Sequence, residues 1–355
     1  MQIIEWAGLL LVTWGTAVVA DWPIVDLGYQ RHQAISFNST GHYYQFFNFR
    51  YAEPPLSPLR FSQPISPRYC SREVVNGKGL GYICPQLEAC WLNVQGKLTS
   101  AVTAGSTFNF TAAYDQVDRH DDCTKPRLVA GQNPLESEDC LFLDVVPVLV
   151  YFQDGAYVSG SKSDQNPSGL IATTGEDGST GIIYVGVNYR LGVFGWLSGQ
   201  KFWSEEGLPN AGLYDERLAL EWVQRHISKF GGDPLRVTVM GVSAGGGSIT
   251  MQLTAYGRAI RPPFTQIIAQ SPAWEPGTKS PAIEDDLLDS FLTLLNVSSL
   301  DEARSLPSQS LLAANYELMA SLGLAHFGHA NASVRARVSK VLYPPIFHGT
   351  WPHSS

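Results

Sequence analysis

The sequence predicts an α/β fold: a mostly parallel central sheet flanked by helices. Three observations predict it. Short apolar runs bounded by Gly, Asn or Asp recur at Val148 to Phe152, Ile182 to Val187, Val237 to Met240 and Ile267 to Ala269, the pattern of buried strands. Between the second and third, Leu213 to Ile227 spaces Ala219, Val223 and Ile227 four apart with Leu220 beside them, the stripe of a helix that covers a sheet. Strand and helix alternate, as connections between parallel strands require. The 355 residues, 44% hydrophobic and 16% charged, supply a large core and exclude disorder and coiled coil. With 24 Lys and Arg against 32 Asp and Glu, the net charge of -8 and the lack of a basic run exclude nucleic acid as a partner.

From the N-terminus, Trp6 to Ala20 is apolar and ends in Val18-Val19-Ala20 before Asp21, the form of a cleaved signal peptide over residues 1–20. As a helix it would reach only about 22 Å, short of a bilayer core of roughly 30 Å, so no stable membrane span is expected. The expectation is a secreted protein with one domain over residues 21–355. Export predicts oxidised cysteines among Cys70, Cys84, Cys90, Cys123 and Cys140, an odd number that leaves one unpaired. Asn38, Asn109, Asn296 and Asn331 head glycosylation triplets.

Asp144-Val145-Val146-Pro147 runs almost directly into the strand at Val148, leaving little chain between two strands. Gly77-Lys78-Gly79-Leu80-Gly81 lacks the spacing of a nucleotide loop and is expected to be a turn. Asp118-Arg119-His120-Asp121-Asp122 is expected to be a solvated loop. Beyond Ser271, Leu287, Leu288, Phe291, Leu292 and Leu295 form one helical stripe, and Ser299 with Glu302 makes a capping box for the next helix. From about Asn331 the chain reads as irregular.

The strongest chemical signal is the strand Val237 to Met240 running into Gly241-Val242-Ser243-Ala244-Gly245. The flanking glycines, Gly241 and Gly245, suit a sharp strand-to-helix turn that exposes the Ser243 hydroxyl as a nucleophile. The helix that follows points free N–H groups, and the positive end of its dipole, at charge developing on a substrate oxygen, with the Ala244 N–H foremost. Upstream, Val148 to Phe152 leads into Gln153-Asp154-Gly155-Ala156-Tyr157, where a second oxyanion loop is expected.

Four ordered motifs accompany this turn: Phe49-Arg50-Tyr51-Ala52-Glu53-Pro54-Pro55 with Leu59-Arg60-Phe61; Ser137-Glu138-Asp139-Cys140-Leu141-Phe142-Leu143-Asp144-Val145; Asn188-Tyr189-Arg190-Leu191-Gly192; and Asn210-Ala211-Gly212-Leu213-Tyr214-Asp215, leading to Ala219-Leu220-Glu221-Trp222-Val223. By these the chain resembles the type-B carboxylesterase and lipase family of α/β-hydrolases, particularly its secreted fungal members, over roughly Val25 to Ser271. The resemblance implies an α/β-hydrolase fold and hydrolysis of a small-molecule or lipid ester through an acyl-enzyme on Ser243. It implies an oxyanion hole from the N–H groups of Gly155, Ala156 and Ala244, and neither cofactor nor metal. It also implies a Cys84 to Cys140 disulfide, with Cys90 and Cys123 able to close a nested loop and Cys70 left odd.

The chain departs from the family at Asp154, where a third glycine is usual; pointing inward, its carboxylate would oppose a developing oxyanion. Val242 stands where many relatives carry Glu. The triad acid and histidine, which follow the serine in this fold, are unassigned: His326, His329, His348 and His353 sit in no family-like setting, and the sequence stops short of the expected histidine. The C-terminal part of the domain is therefore expected to be missing, and the strand at Ile267 to be an exposed edge. A noncatalytic esterase-like binding protein, or an inactive fragment, is the alternative reading of a chain without that acid and base. Trp91, Trp196 and Trp274 are expected to be core.

Overall fold

A computed structural model describes residues 22–39, 43–68, 70–77, 81–86, 134–173, 182–272 and 281–326. The N-terminal stretch contributes β1 (Ile24–Asp26), β2 (Arg31–Gln33), β3 (Ser36–Asn38), β4 (Tyr43–Arg50) and β5 (Val74–Asn76); β1, β2 and β5 form a small sheet of their own. The main sheet contains β3, β4, β6 (Phe142–Phe152), β7 (Ile183–Val187), β8 (Thr238–Val242) and β9 (Gln266–Gln270).

β6 holds both strands that the sequence crowds together, and its two arms pair β7 in opposite senses. Leu143 to Pro147 pair with Val187 back to Ile183, whereas Val148 to Phe152 pair with Ile183 forward to Val187. Val185 thus has Val145 on one side and Val150 on the other. The first arm continues antiparallel onto β4, the second parallel onto β8, and β8 pairs β9 in parallel. β7 is enclosed between the arms, and the parallel core of the sheet runs from β7 through the second arm to β8 and β9.

Helices α1 (Ser168–Thr173), α2 (Gly192–Trp196), α3 (Gln200–Ser204), α4 (Ala211–His226) and α5 (Ala244–Thr254) follow. The predicted stripe of α4 is its buried face: Ala219, Leu220, Trp222 and Val223 lie in the core, with Trp222 tilted on Phe49 at 5.7 Å between ring centroids. Each large side chain so buried contributes about 1.5–3 kcal/mol. A second core, built from Phe61, Val158, Phe194 and Phe202, receives Leu288, Phe291 and Leu292 of α6 (Pro281–Leu295), Leu300 of α7 (Leu300–Ser305) and Leu311 of α8 (Ser308–His326). Ser299 caps α7 by accepting from the Glu302 N–H, but the Glu302 carboxylate returns to the Ser298 N–H, one residue before the position a capping box predicts. The glutamate thus ties down the turn that enters the helix.

The polar motifs pair with one another. Arg50 forks onto Asp139 at 2.6 and 2.8 Å, and Arg60 onto Glu138 at 2.8 and 2.7 Å while also donating to the carbonyls of Arg304 and Leu306. Arg190 forks onto Asp215 at 2.8 and 2.7 Å. The bidentate geometry aligns loop and helix in a way a single contact would not. Cys84 and Cys140 are joined by a disulfide with Cα atoms 4.9 Å apart, and Cys70 is free and exposed.

β9 is the outermost strand among the described residues, the exposed edge expected at Ile267, so its apolar run is not buried as the pattern alone suggests: Ile267 and Ile268 are 41% and 43% exposed. Trp196 is core, as expected. Among the described residues no helix is long and apolar enough to cross a membrane. The expected signal peptide, Cys90, Cys123, Asn109, Asn331, Trp91, Trp274, the 118–122 cluster, His329, His348, His353 and the irregular tail lie outside the described residues.

Candidate active site

Ser243 is the single residue between β8 and α5, and its backbone takes φ 52° and ψ -116°. A side chain rarely adopts this conformation, and it persists only where the surroundings enforce it. They do so through hydrogen bonds and close packing. The Ser243 N–H donates to the Gln270 carbonyl of β9 at 3.0 Å, and its own carbonyl accepts from Gly247 at 2.9 Å. The turn closes on itself: a Cβ on Gly241 would stand 2.5 Å from the carbonyl carbon of Gly245. The partly exposed Ser243 side chain has no hydrogen-bond partner among the described residues.

The second arm of β6 brings up the upstream loop. Phe152 pairs with Gly241, and a Cβ on Gly245 would lie 2.2 Å from the Phe152 carbonyl oxygen and 2.9 Å from that of Gln153. Gly245, two residues after the serine, is thus required for the helix to pack against the start of the Asp154-Gly155-Ala156 turn. In that turn Gly155, Ala156 and Tyr157 have φ of 96°, 55° and 64°. The Gly155 carbonyl accepts from the Val158 and Ser159 N–H groups, both at 3.0 Å. The N–H groups of Gly155, Ala156 and Ala244 donate to no backbone acceptor among the described residues, so free donors lie at the ends of two adjacent parallel strands. The Asp154 side chain is partly exposed and makes no hydrogen bond or ion pair among the described residues.

The loop is braced from behind. Gln86 and Gln153 both donate to the Gly160 carbonyl at 3.0 Å. The Tyr189 hydroxyl donates to the Gln153 carbonyl at 2.9 Å, and the Gly192 N–H to the Tyr157 carbonyl at 2.8 Å. The described histidine side chains lie in other packing: His32 on Phe49 at 4.1 Å and His226 on Trp222 at 5.1 Å between ring centroids. Burial pushes both imidazoles down to about 4. No cluster of metal ligands occurs among the described residues.

Sequence reasoning passed over Tyr157 and Glu216. Glu216 is fully buried on α4. A signal was present: it stands three residues before Ala219 and seven before Val223, an acid within the apolar stripe.

A serine at a strained strand-to-helix turn, on a sheet with a parallel core and beside a loop of free N–H groups, defines an α/β-hydrolase. Residues 30–309 match the carboxylesterase family model, and the chain belongs to the carboxylesterase family. It is 69% identical to carboxylesterase patB of Penicillium expansum, aligned over 100% of this chain and 78% of that protein. It is 66% identical to carboxylesterase patB of Aspergillus clavatus, over 88% of this chain and 59% of that protein. Among solved structures, Aspergillus niger EstA superposes with a TM-score of 0.65 at 28% identity, covering 83% of this chain and 51% of EstA. The chain therefore spans little more than half the length of two of these relatives.

Proposed function

We propose that this chain hydrolyses carboxylic esters through Ser243. Its Oγ attacks the acyl carbon and gives up its proton, and the carbonyl π electrons move onto oxygen. The resulting oxyanion is held by the N–H groups of Gly155, Ala156 and Ala244. The intermediate collapses, the alcohol leaves with a proton, and water cleaves the acyl-enzyme to release the acid and restore Ser243. The base that accepts the Oγ proton is neither His32 nor His226, whose rings pack elsewhere. The observation that carries this reading is the Ser243 backbone, held at φ 52° beside an N–H-rich loop by glycine contacts that admit no Cβ. A fluorophosphonate probe on folded protein is expected to label Ser243 and to leave Ser243→Ala unlabelled. A folded wild-type protein that stays unlabelled rejects the reading.

A secreted, glycosylated protein processed after Ala20 is part of the same proposal. Asn296 supports it, standing exposed at φ 54° in the turn between α6 and α7. Asn38 suits glycosylation less, because its side-chain amide donates to the Tyr43 hydroxyl at 3.2 Å. Peptide mapping of the secreted protein is expected to find a glycan on Asn296 and an N-terminus at Asp21.

A further inference from the structure

Arg190, just beyond β7, is buried, and its three nitrogens are not used alike. Nε and Nη2 fork onto Asp215, and Nη2 also donates to the Ser62 carbonyl at 3.0 Å and the Ala211 carbonyl at 3.4 Å. Nη1, which carries two N–H groups, is buried with no hydrogen-bond partner among the described residues. Donors of a charged group are rarely left so, because they give up hydration and receive nothing for it.

Arg190 lines a small cavity. Arg60 and Glu138 are polar neighbours on its wall, Phe61, Pro85 and Phe194 apolar ones, and all six residues are buried. The volume open to the centre of a guest is about 10 Å³, close to what one water needs. There is room for a single non-hydrogen atom. Arg60 has acceptors for all its nitrogens: Nε and Nη2 on Glu138, Nη1 on the carbonyls of Arg304 and Leu306, and Nη2 again on the Ser308 hydroxyl at 3.0 Å. Each Glu138 oxygen, by contrast, takes one hydrogen bond from Arg60 and can accept another. The cavity thus offers unused donors from Arg190 and unused acceptor capacity from Glu138.

A guest of that size that accepts from Arg190 is a water or a monatomic anion, and charge separates the two. Arg60 and Arg190 are matched by Glu138 and Asp215, so no positive charge is left over, and a halide would lie uncompensated beside the Glu138 carboxylate. We propose that this cavity is the binding site of one internal water, which accepts from Arg190 Nη1 and donates to Glu138. The water joins two forked ion pairs into one network. Arg60 holds the end of α7 and the start of α8 through Arg304, Leu306 and Ser308, whereas Arg190 holds the start of α4 through Ala211 and Asp215. The second core is thereby tied to the helix that covers the main sheet. The site also accounts for an arginine at 190: a lysine would neutralise Asp215 with its single nitrogen and leave none for the cavity. None of this depends on the chemistry proposed for Ser243.

A crystal structure of the full chain, grown with sodium bromide as the sole halide and recorded at the bromine absorption edge, tests this. The expected result is a well-ordered oxygen about 2.7–3.2 Å from both Arg190 Nη1 and a Glu138 oxygen, with no anomalous peak on it. An anomalous peak in the cavity overturns the proposal in favour of an anion site. A cavity without density, or Nη1 bonded directly to a protein acceptor, overturns it outright. Oxygen-17 relaxation dispersion of the solvent gives a second measurement, because it counts internal waters that exchange slowly. Arg190→Lys is expected to hold one such water fewer than wild type. Equal counts in the two folded proteins reject the role of Nη1; if the variant does not fold, the wild-type crystal structure decides.

Discussion

Asn315 of α8 accepts a hydrogen bond from the Val193 backbone N–H at 2.9 Å. The acceptor oxygen comes from a distant helix and serves the first turn of α2, whose own N-cap residue, Leu191, makes no side-chain cap. The neighbouring Gly192 N–H holds the Tyr157 carbonyl, so a residue of the second core reaches the proposed oxyanion loop through two hydrogen bonds. Asn315→Leu leaves a buried donor unpaired and is expected to cost about 1–3 kcal/mol in urea unfolding. It is also expected to slow fluorophosphonate labelling more than Leu311→Val, a purely packing change. Equal slowing by both would show that Asn315 acts only through stability.

Gly245→Ala would drive a methyl group into two backbone carbonyl oxygens. Neither can retreat without parting β6 from α5, so the variant is expected to lose more than about 3 kcal/mol, at the severe end for a point substitution. Thermal denaturation against wild type measures it. An unchanged midpoint would mean that the helix and the strand end are further apart than described.

Ser243→Gly should do the opposite. The serine is held where a side chain is disfavoured, at a cost of about 1–3 kcal/mol, and glycine removes that cost while losing more backbone entropy on folding. A net gain of about 1 kcal/mol is expected, a rise of roughly 2 °C in a chain of this size, with labelling abolished. A lower midpoint would contradict the strain.

His32 sets an acid limit. It is buried against Phe49, and burial lowers its imidazole from 6.5 to about 4. The unfolded chain therefore takes up a proton at higher pH than the folded one. The stabilisation is fully present above about pH 6.5 and lost as pH falls toward 4, amounting to about 2.5 kcal/mol by pH 4.5. His32→Leu is expected to remove that share of the acid sensitivity in urea midpoints at pH 7 and 4.5. An unaltered slope would assign it to other groups.

The sequence made the strands around Val150, Val185 and Val239 legible because each is a short, mostly apolar run between turn residues. The glycines around Ser243 announced the bend because only a residue without Cβ fits where backbones meet. The Ile and Ala run of β9 has the pattern of a buried strand, and its place at the edge followed from the resemblance and not from the run itself. The burial of Glu216 and the stacking of Tyr157 on Trp196 escaped because each depends on elements far apart in sequence. The motifs contain Arg50, Arg60 and Arg190, but their partners emerge only when Asp139, Glu138 and Asp215 are brought to them.

The two arms of β6 stand two strand spacings apart, roughly 9.6 Å, too far to bond with each other. Among the described residues the sheet's continuity across that gap is supplied by β7, a wedge whose residues reach the forming sheet about thirty positions after the slot that receives them. During synthesis the two arms of β6 stay uncoupled until Val187 has emerged, and β8 and β9 add to the second arm only afterwards. A proline at Val185 is expected to weaken the joint between the half that carries β3 and β4 and the half that begins at Val148.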